Sequence, residues 1–144
     1  TNHYHLLLRE AVCGGISKYI GDLQNSITRY TNLRIKRKGT TFLSQFKAKL
    51  VETDDQLIHV SRYIHLNPYT AFTIKNYDEI LSYPWSSMRE YKATYFGRPT
   101  CKTEWIKYFF KTPKAYELFV LDNSDYQRKL GTIRHLLFEE KTKV

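Results

Sequence analysis

The chain lacks several features that would place it in other classes of protein. No apolar run approaches the roughly 18 residues of a membrane-spanning helix, and no secretory signal peptide is visible. Only two cysteines occur, and neither Cys13 nor Cys101 has a histidine or cysteine neighbour at metal-ligand spacing. We therefore expect reduced thiols, a cytoplasmic location and no membrane partner.

Acidic side chains are scarce in the first third of the sequence. Residues 1–50 hold nine Lys or Arg against two Asp or Glu, whereas residues 51–100 hold five against six. A basic region of this kind favours a polyanionic partner, usually nucleic acid, and would place the protein at the nucleoid. The alternatives are a solvated basic face and, less favoured, an acidic protein partner.

The hydrophobic pattern predicts two strands and several helices. With 144 residues, 42% of them hydrophobic, the chain can bury a core of one domain. Apolar residues alternate with polar ones in the predicted strands and recur every three or four residues in the predicted helices. The strands are expected at 2–9 and 40–52, and the helices at 15–35, 53–67, 86–95, 103–110, 113–121 and 124–140.

The helix at 53–67 is predicted to have a buried face and an accessible face. It opens on Thr53 and Gln56, which have the spacing of a capping box, and it should end near Asn67 because Pro68 disfavours a helical residue before it. Helical spacing groups one set of side chains toward the core: Leu57, Ile58, Ser61, Ile64 and His65. It groups a second, polar set on the accessible side: Gln56, His59, Tyr63 and Asn67.

Two histidines near the start of the chain are candidate metal ligands. In an extended strand, His3 and His5 would share one face while Tyr4 points the opposite way. Neutral imidazoles are common ligands of divalent metals. The alternative is that one histidine is a surface residue and that the pair arises by chance.

Tyr63 and Asn67 could contribute to the same chemistry. Four residues apart, they project from adjacent turns of one helix face, and the amide oxygen of Asn67 could complete a metal site with the histidines. Such a mixed nitrogen and oxygen set favours Mg²⁺ or Mn²⁺ over a structural zinc ion. A phenol such as Tyr63 becomes a useful nucleophile beside a cation or a polarised phosphate. The alternative is a half-buried aromatic residue and a helix-terminal asparagine.

The motifs resemble those of a known family. Asn2-His3-Tyr4-His5-Leu6-Leu7-Leu8 resembles the His-hydrophobic-His motif of HUH endonucleases. Arg62-Tyr63-Ile64-His65-Leu66-Asn67-Pro68 is similar to the tyrosine-helix motif of single-tyrosine HUH transposases, in particular the REP-associated tyrosine transposases. Further similar segments lie at 14–18, 42–52 and 83–91, in the order that the family has them.

The resemblance implies a fold, a cofactor and a reaction. The fold is an α+β, ferredoxin-like HUH core over residues 1–95, with an antiparallel sheet, followed by a C-terminal helical appendage over residues 96–144. Strands that should precede the histidines are absent, so we expect an incomplete core that a second chain, as in a homodimer, could complete. The family implies that His3, His5 and Asn67 bind Mg²⁺ or Mn²⁺. Tyr63 would then cleave single-stranded DNA at hairpin ends through a 5′-phosphotyrosine intermediate and later rejoin it.

Six basic residues are candidates for contacts with the DNA backbone. Four lie at the C-terminal end of the helix at 15–35 and two lie on the predicted second strand: Arg34, Lys36, Arg37, Lys38, Lys47 and Lys49. The main alternative function is a hairpin DNA- or RNA-binding protein that does not cut, because Tyr69-Thr70-Ala71 stands where Val-Arg-Ala is expected. A replication initiator or relaxase of the HUH class is disfavoured by the single tyrosine and the Asn67-Pro68 ending.

Overall fold

The structure, a computed structural model, describes residues 3–42 and 46–122. Within these residues it contains four α-helices and two 3₁₀ helices. The α-helices are α1 (Gly15–Ile35), α2 (Asp54–Thr70), α3 (Glu104–Lys107) and α4 (Pro113–Leu121), and the 3₁₀ helices span Tyr77–Leu81 and Ser87–Tyr91. No helix in the described part of the chain is long and apolar enough to cross a membrane.

The chain divides into two compact units. The first comprises Thr1–His5 and Val51–Val144, of which residues 3–5 and 51–122 are described. The second comprises Leu6–Leu50, of which residues 6–42 and 46–50 are described. The boundary that the sequence predicts between residues 95 and 96 falls inside the first unit.

Helix α1 of the second unit confirms the predicted helix at 15–35. It begins after Gly14, whose φ of 74° lies in the left-handed region that glycine adopts readily. It ends at Ile35, and the C-cap residue Lys36, also left-handed with φ 53°, donates its backbone N–H to the carbonyl oxygen of Asn32. This is the geometry that usually closes a helix with glycine, here adopted by a lysine.

Helix α2 begins as the sequence predicts but continues further. The Thr53 hydroxyl oxygen accepts a hydrogen bond from the backbone N–H of Gln56 at 3.2 Å. The predicted end near Asn67 is wrong, because the helix runs through Pro68 to Thr70. Proline removes one backbone donor inside a helix, at a cost of about 3 kcal/mol. Burial of Leu66 and Tyr69 on either side of Pro68 offsets this cost.

The core of the first unit forms where α2 packs against α3, α4 and the first 3₁₀ helix. Its fully buried side chains are Leu66, Ile80, Met88, Tyr116 and Val120. Glu90 fastens the second 3₁₀ helix to the following loop, because its carboxylate accepts hydrogen bonds from the backbone N–H groups of Thr100 and Cys101 and from the Thr100 hydroxyl. Burial alone would raise the pKa of Glu90, but these hydrogen bonds lower it below its usual value.

The predicted α+β, ferredoxin-like fold is wrong for the described residues. Neither the described part of 2–9 nor that of 40–52 forms a strand, and every described secondary-structure element is helical. Alternating apolar residues make a strand only when another strand pairs with them, because strand formation depends on cross-strand neighbours. The described residues 3–9 and 46–52 have no such pairing.

The predicted helices after residue 85 have mixed outcomes. The helix expected at 113–121 is confirmed by α4, whose N-cap residue Thr112 accepts a hydrogen bond from the backbone N–H of Ala115. The helix expected at 86–95 is a short 3₁₀ helix, and the one expected at 103–110 is limited to the four residues of α3. The helix expected at 124–140 lies outside the described residues.

Candidate active site

The structure brings His3, His5 and Tyr63 together in the first unit, although Tyr63 lies far along the sequence from the histidines. The ring centres of His3 and His5 are 5.1 Å apart, with their planes at 87°. The ring centres of His5 and Tyr63 are 5.7 Å apart, with their planes at 76°. The edge of one ring faces the other in both pairs, and edge-to-face contacts of this kind are favourable between aromatic rings.

Local structure explains why the Tyr63 side chain is exposed. Helix α2 buries its neighbours Arg62 and Leu66, whereas Tyr63 points away from the core and is 39% exposed. The predicted accessible face is therefore present: Gln56, His59 and Tyr63 are exposed and Asn67 is half-buried. Asn67 follows Tyr63 by one turn, and its backbone carbonyl accepts from the N–H of Ala71 at 2.9 Å.

The spacing of the two histidine rings is compatible with a shared divalent metal ion. Two imidazoles whose nitrogens lie about 2.0–2.1 Å from a shared ion have ring centres roughly 4.5–5.2 Å apart, for angles of about 90–110° at the ion. The 5.1 Å between His3 and His5 lies in this range. Partial burial, and then the His3 ring, lower the pKa of His5 and so favour the neutral imidazole that binds metals.

The histidines lie on an irregular segment, whereas the sequence predicts a strand for them. No described group of three His, Cys, Asp or Glu side chains could hold a metal ion. A third ligand would have to be of another type, and the amide of Asn67 remains the predicted one. The donor set of two imidazoles and one amide oxygen suits Mg²⁺ or Mn²⁺ with further oxygen ligands from substrate.

A second group of polar side chains lies on α2 in the two turns that precede Tyr63. Arg62 donates a hydrogen bond from Nη2 to His59 Nδ1 at 2.9 Å, and its guanidinium lies 4.5 Å from the centre of the Phe119 ring. Because Arg62 donates to Nδ1, the proton of a neutral His59 ring is on Nε2, which lies 3.5 Å from Asp55 Oδ1. These contacts fix the His59 ring beside the accessible face of α2.

A buried hydrogen-bonded network lies on the opposite side of α2. The Tyr116 hydroxyl lies 2.6 Å from Ser61 Oγ and 2.7 Å from His65 Nδ1, and His65 Nε2 lies 2.9 Å from Ser87 Oγ. Burial lowers the pKa of His65 to about 4 and raises the pKa of Tyr116. The sequence predicts Ser61 and His65 on the core side but does not identify Tyr116 or Ser87. The signal for Tyr116 is its place on the apolar face of α4, with Phe119 and Val120 at helical spacing.

The low pKa of His65 predicts a pH-dependent stability. A histidine held neutral by folding contributes stability above its unfolded pKa of about 6.5, and this contribution is lost as pH falls toward 4. We expect the free energy of unfolding to fall by roughly 3 kcal/mol across this range from His65 alone. Urea denaturation of His65→Gln should lack this component, whereas His59→Gln, at an exposed position, should keep it. If the free energy of unfolding depended on pH equally in the unaltered protein and in His65→Gln, the burial of a neutral His65 would be contradicted.

The predicted DNA-contacting residues lie in the second unit and are exposed. Arg34, Lys36, Arg37 and Lys38 follow one another at the C-terminal end of α1. Arg34 donates to the Tyr30 hydroxyl at 2.7 Å and Arg37 to the Thr40 carbonyl at 2.7 Å, so both guanidinium groups are oriented and retain further donors. Lys47 and Lys49 are also exposed, but on an irregular segment, so the predicted basic face of a strand is wrong.

The chain matches no family of known proteins, and no curated protein or solved structure with significant similarity was found.

Proposed function

We propose that this chain is a metal-dependent enzyme that cleaves and rejoins single-stranded DNA at hairpin ends, with Tyr63 as the nucleophile. The observation that carries the proposal is the position of the exposed Tyr63 ring, whose centre lies 5.7 Å from that of the His5 ring. The motifs that resemble those of single-tyrosine HUH transposases supply the reaction class. The proposal concerns the chemistry and does not require the sheet that this family implies.

Separate residues of the chain would bind the metal and attack the phosphate. His3, His5 and Asn67 would hold Mg²⁺ or Mn²⁺, which when bound supplies positive charge that stabilises a phosphate gaining negative charge. Tyr63 Oη attacks phosphorus, the bond between phosphorus and the 3′ oxygen breaks, and a 5′-phosphotyrosine and a free 3′-hydroxyl result. The phenolic proton passes to solvent and the departing 3′ oxygen takes one up, so atoms and charge balance. Attack of a 3′-hydroxyl on the phosphotyrosine reverses these steps and rejoins a strand.

The covalent intermediate explains why a tyrosine is suited to this role. Hydrolysis by water would lose the energy of the phosphodiester bond, whereas a phosphotyrosine conserves it for rejoining. The Tyr63 ring is fixed to a long helix, so the attacking oxygen is positioned by rigid structure. Its 39% exposure leaves access for a DNA strand.

The basic end of α1 supplies the proposed contacts with the DNA backbone. Each phosphate that a Lys or Arg neutralises contributes about 0.7–0.9 to the slope of the logarithm of affinity against the logarithm of salt concentration. Replacing Arg34, Lys36, Arg37 and Lys38 together by glutamine should therefore weaken hairpin binding and reduce this slope by roughly 3. The measurement is fluorescence anisotropy of a labelled hairpin over a series of salt concentrations.

A charge-matched variant controls for the loss of net charge alone. It replaces four exposed cations from the rest of the chain by glutamine: Lys75, Arg98, Lys102 and Lys111. We expect a change in slope of less than about 1 for this variant. Equal losses in the two variants would show that the end of α1 has no special role in DNA binding.

A non-catalytic hairpin-binding protein is the second candidate. The observation that favours it is the lack, among described residues, of three clustered His, Cys, Asp or Glu side chains for a metal. It predicts salt-sensitive binding that survives alanine at His3, His5 and Tyr63. It also predicts no covalent adduct with DNA under any condition.

Labelled DNA separates the two candidates and tests the polarity of cleavage. A hairpin with single-stranded flanks carries one dye at the 5′ end and a different dye at the 3′ end, and is incubated with protein and Mn²⁺ or Mg²⁺. Denaturing electrophoresis should show only the 3′-end dye on the protein, because the protein is joined to the 5′-phosphate of the downstream fragment. Chelation of the metal should abolish the adduct. Binding without any adduct would refute the proposed reaction and favour the binding protein.

A further inference from the structure

The Tyr116 hydroxyl connects α4 to two positions on α2. It lies 2.6 Å from Ser61 Oγ and 2.7 Å from His65 Nδ1, and Ser61 and His65 are one helical turn apart. All three residues are buried, with exposures of 0%, 3% and 3% for Tyr116, Ser61 and His65. One hydroxyl group therefore holds α2 at two points on its buried face.

These two points lie opposite the candidate active site on the same helix. Successive residues of an α-helix are rotated by about 100°, so Tyr63 lies about 200° from Ser61 and His65 lies about 200° from Tyr63. Tyr63 is therefore diametrically opposite the middle of the Ser61–His65 pair. The rotation of α2 about its axis sets the position of the Tyr63 ring.

We propose that Tyr116 is a positioning residue, which fixes the rotation of α2 through Ser61 and His65 and thereby places Tyr63 beside His5. The proposal rests on the proposed function of Tyr63 as the nucleophile. It concerns a residue that neither contacts the substrate nor belongs to the motifs that resemble those of the HUH family.

The surroundings of Tyr116 are rigid enough for this role. Its ring packs 4.6 Å from the centre of the Tyr91 ring and 5.0 Å from that of Phe110. A hydroxyl fixed by such packing can transmit the position of α4 to α2. His65 Nε2 lies 2.9 Å from Ser87 Oγ, so the same histidine also joins α2 to the second 3₁₀ helix.

The hydrogen bonds of the network are mutually satisfied. In one consistent arrangement Ser61 donates to Tyr116, Tyr116 donates to His65 Nδ1, and His65 Nε2 donates to Ser87 Oγ. Removal of the Tyr116 hydroxyl leaves Ser61 and His65 without this shared partner in a buried site. Ser61 retains a hydrogen bond with Tyr91, whereas the buried His65 Nδ1 loses its partner, which is unfavourable and releases α2 from α4 at this point.

A small rotation is enough to affect catalysis. A group about 6 Å from the helix axis moves by about 1 Å when the helix turns by about 10°. Displacements of about 1 Å at a reacting atom can reduce a rate by roughly a hundredfold. The loss should appear in the rate of the chemical step and not in the affinity for DNA, because the residues proposed to bind DNA lie elsewhere in the chain.

The test compares Tyr116→Phe with the unaltered protein and with Ile106→Val. Tyr116→Phe keeps the ring and removes the hydroxyl, whereas Ile106→Val makes a small deletion in the same core, at a residue that is 3% exposed. We expect Tyr116→Phe to slow adduct formation at saturating hairpin DNA by roughly 10- to 100-fold, with the dissociation constant for DNA within about threefold. Ile106→Val should leave the rate within about threefold when both variants are measured well below their melting temperatures. An unaltered rate in Tyr116→Phe would overturn the proposal.

A second measurement does not depend on catalysis. The nuclear Overhauser effect between the ring protons of His5 and Tyr63 reports the contact between these rings directly. It should weaken in Tyr116→Phe and stay unchanged in Ile106→Val, and an unchanged effect in both variants would overturn the positioning role. If the unaltered protein forms no adduct, the proposed function fails, and this contact alone then decides whether Tyr116 positions Tyr63.

Discussion

Tyr63→Phe should abolish the covalent adduct with hairpin DNA, reducing its rate of formation by at least about a thousandfold. The substitution removes only the hydroxyl oxygen that would attack phosphorus. The phenyl ring that remains can keep the edge-to-face contact with His5, whose ring centre lies 5.7 Å away. Binding of hairpin DNA should therefore persist with a dissociation constant within about threefold of the original.

Tyr77→Phe is the matched control for this prediction. Tyr77 lies in the same unit and is 48% exposed, close to the 39% of Tyr63, but it is not adjacent in sequence to any of the predicted ligands. The control should form adduct at the rate of the unaltered protein. If the adduct persisted in Tyr63→Phe and were lost in Tyr77→Phe, the nucleophile would be Tyr77 and the proposed role of Tyr63 would be wrong.

The double variant His3→Ala with His5→Ala should lose metal-dependent adduct formation. Stabilisation of phosphate charge by a bound metal is worth several kcal/mol, so we expect a decrease of roughly a thousandfold in the rate. Mass spectrometry under native conditions, or calorimetric titration with Mn²⁺, should show weaker metal binding by the same variant. Hairpin affinity should change little, because the cations proposed to bind the backbone are untouched.

His59→Ala serves as the control for the loss of a histidine. His59 is on the accessible face of α2 but bonds to Arg62 and Asp55, so it is not expected to hold the metal. This variant should retain both adduct formation and its dependence on Mn²⁺ or Mg²⁺. Retention of full activity by the double variant would remove His3 and His5 from the proposed site and leave the metal hypothesis without ligands.

Local sequence signals predict the longer helices of the structure well. The three- and four-residue recurrence of apolar side chains predicts α1 with its observed bounds, and the Thr53 cap predicts where α2 begins. The end of α2 is predicted too early at Pro68. The cost of proline within a helix is a local effect, whereas the burial of Leu66 and Tyr69 that offsets it is a tertiary effect. The predicted strands are wrong because the alternation of apolar and polar residues indicates only which side chains could share a face. Whether a strand forms depends on the strands that pair with it.

The sequence predicts some residues of the candidate site but not the hydrogen-bonded network behind it. The motifs around His3, His5 and Tyr63 suggest one site, and these rings lie together, but the extended strand expected to present the histidines is an irregular segment. The Tyr116 network cannot be predicted from local pattern, because its hydrogen bonds join residues that are far apart in the sequence. A tyrosine on the apolar face of α4 indicates only burial. The choice of its partners is made by tertiary packing.

The most direct test of the central claim is to identify the residue that becomes attached to DNA. The unaltered protein is incubated with hairpin DNA and Mn²⁺, the adduct is digested with protease and nuclease, and the modified peptide is sequenced by mass spectrometry. We expect a single nucleotide-bearing peptide with the phosphate on Tyr63. Attachment at another residue, or no attached peptide under conditions in which the hairpin is bound, would contradict it.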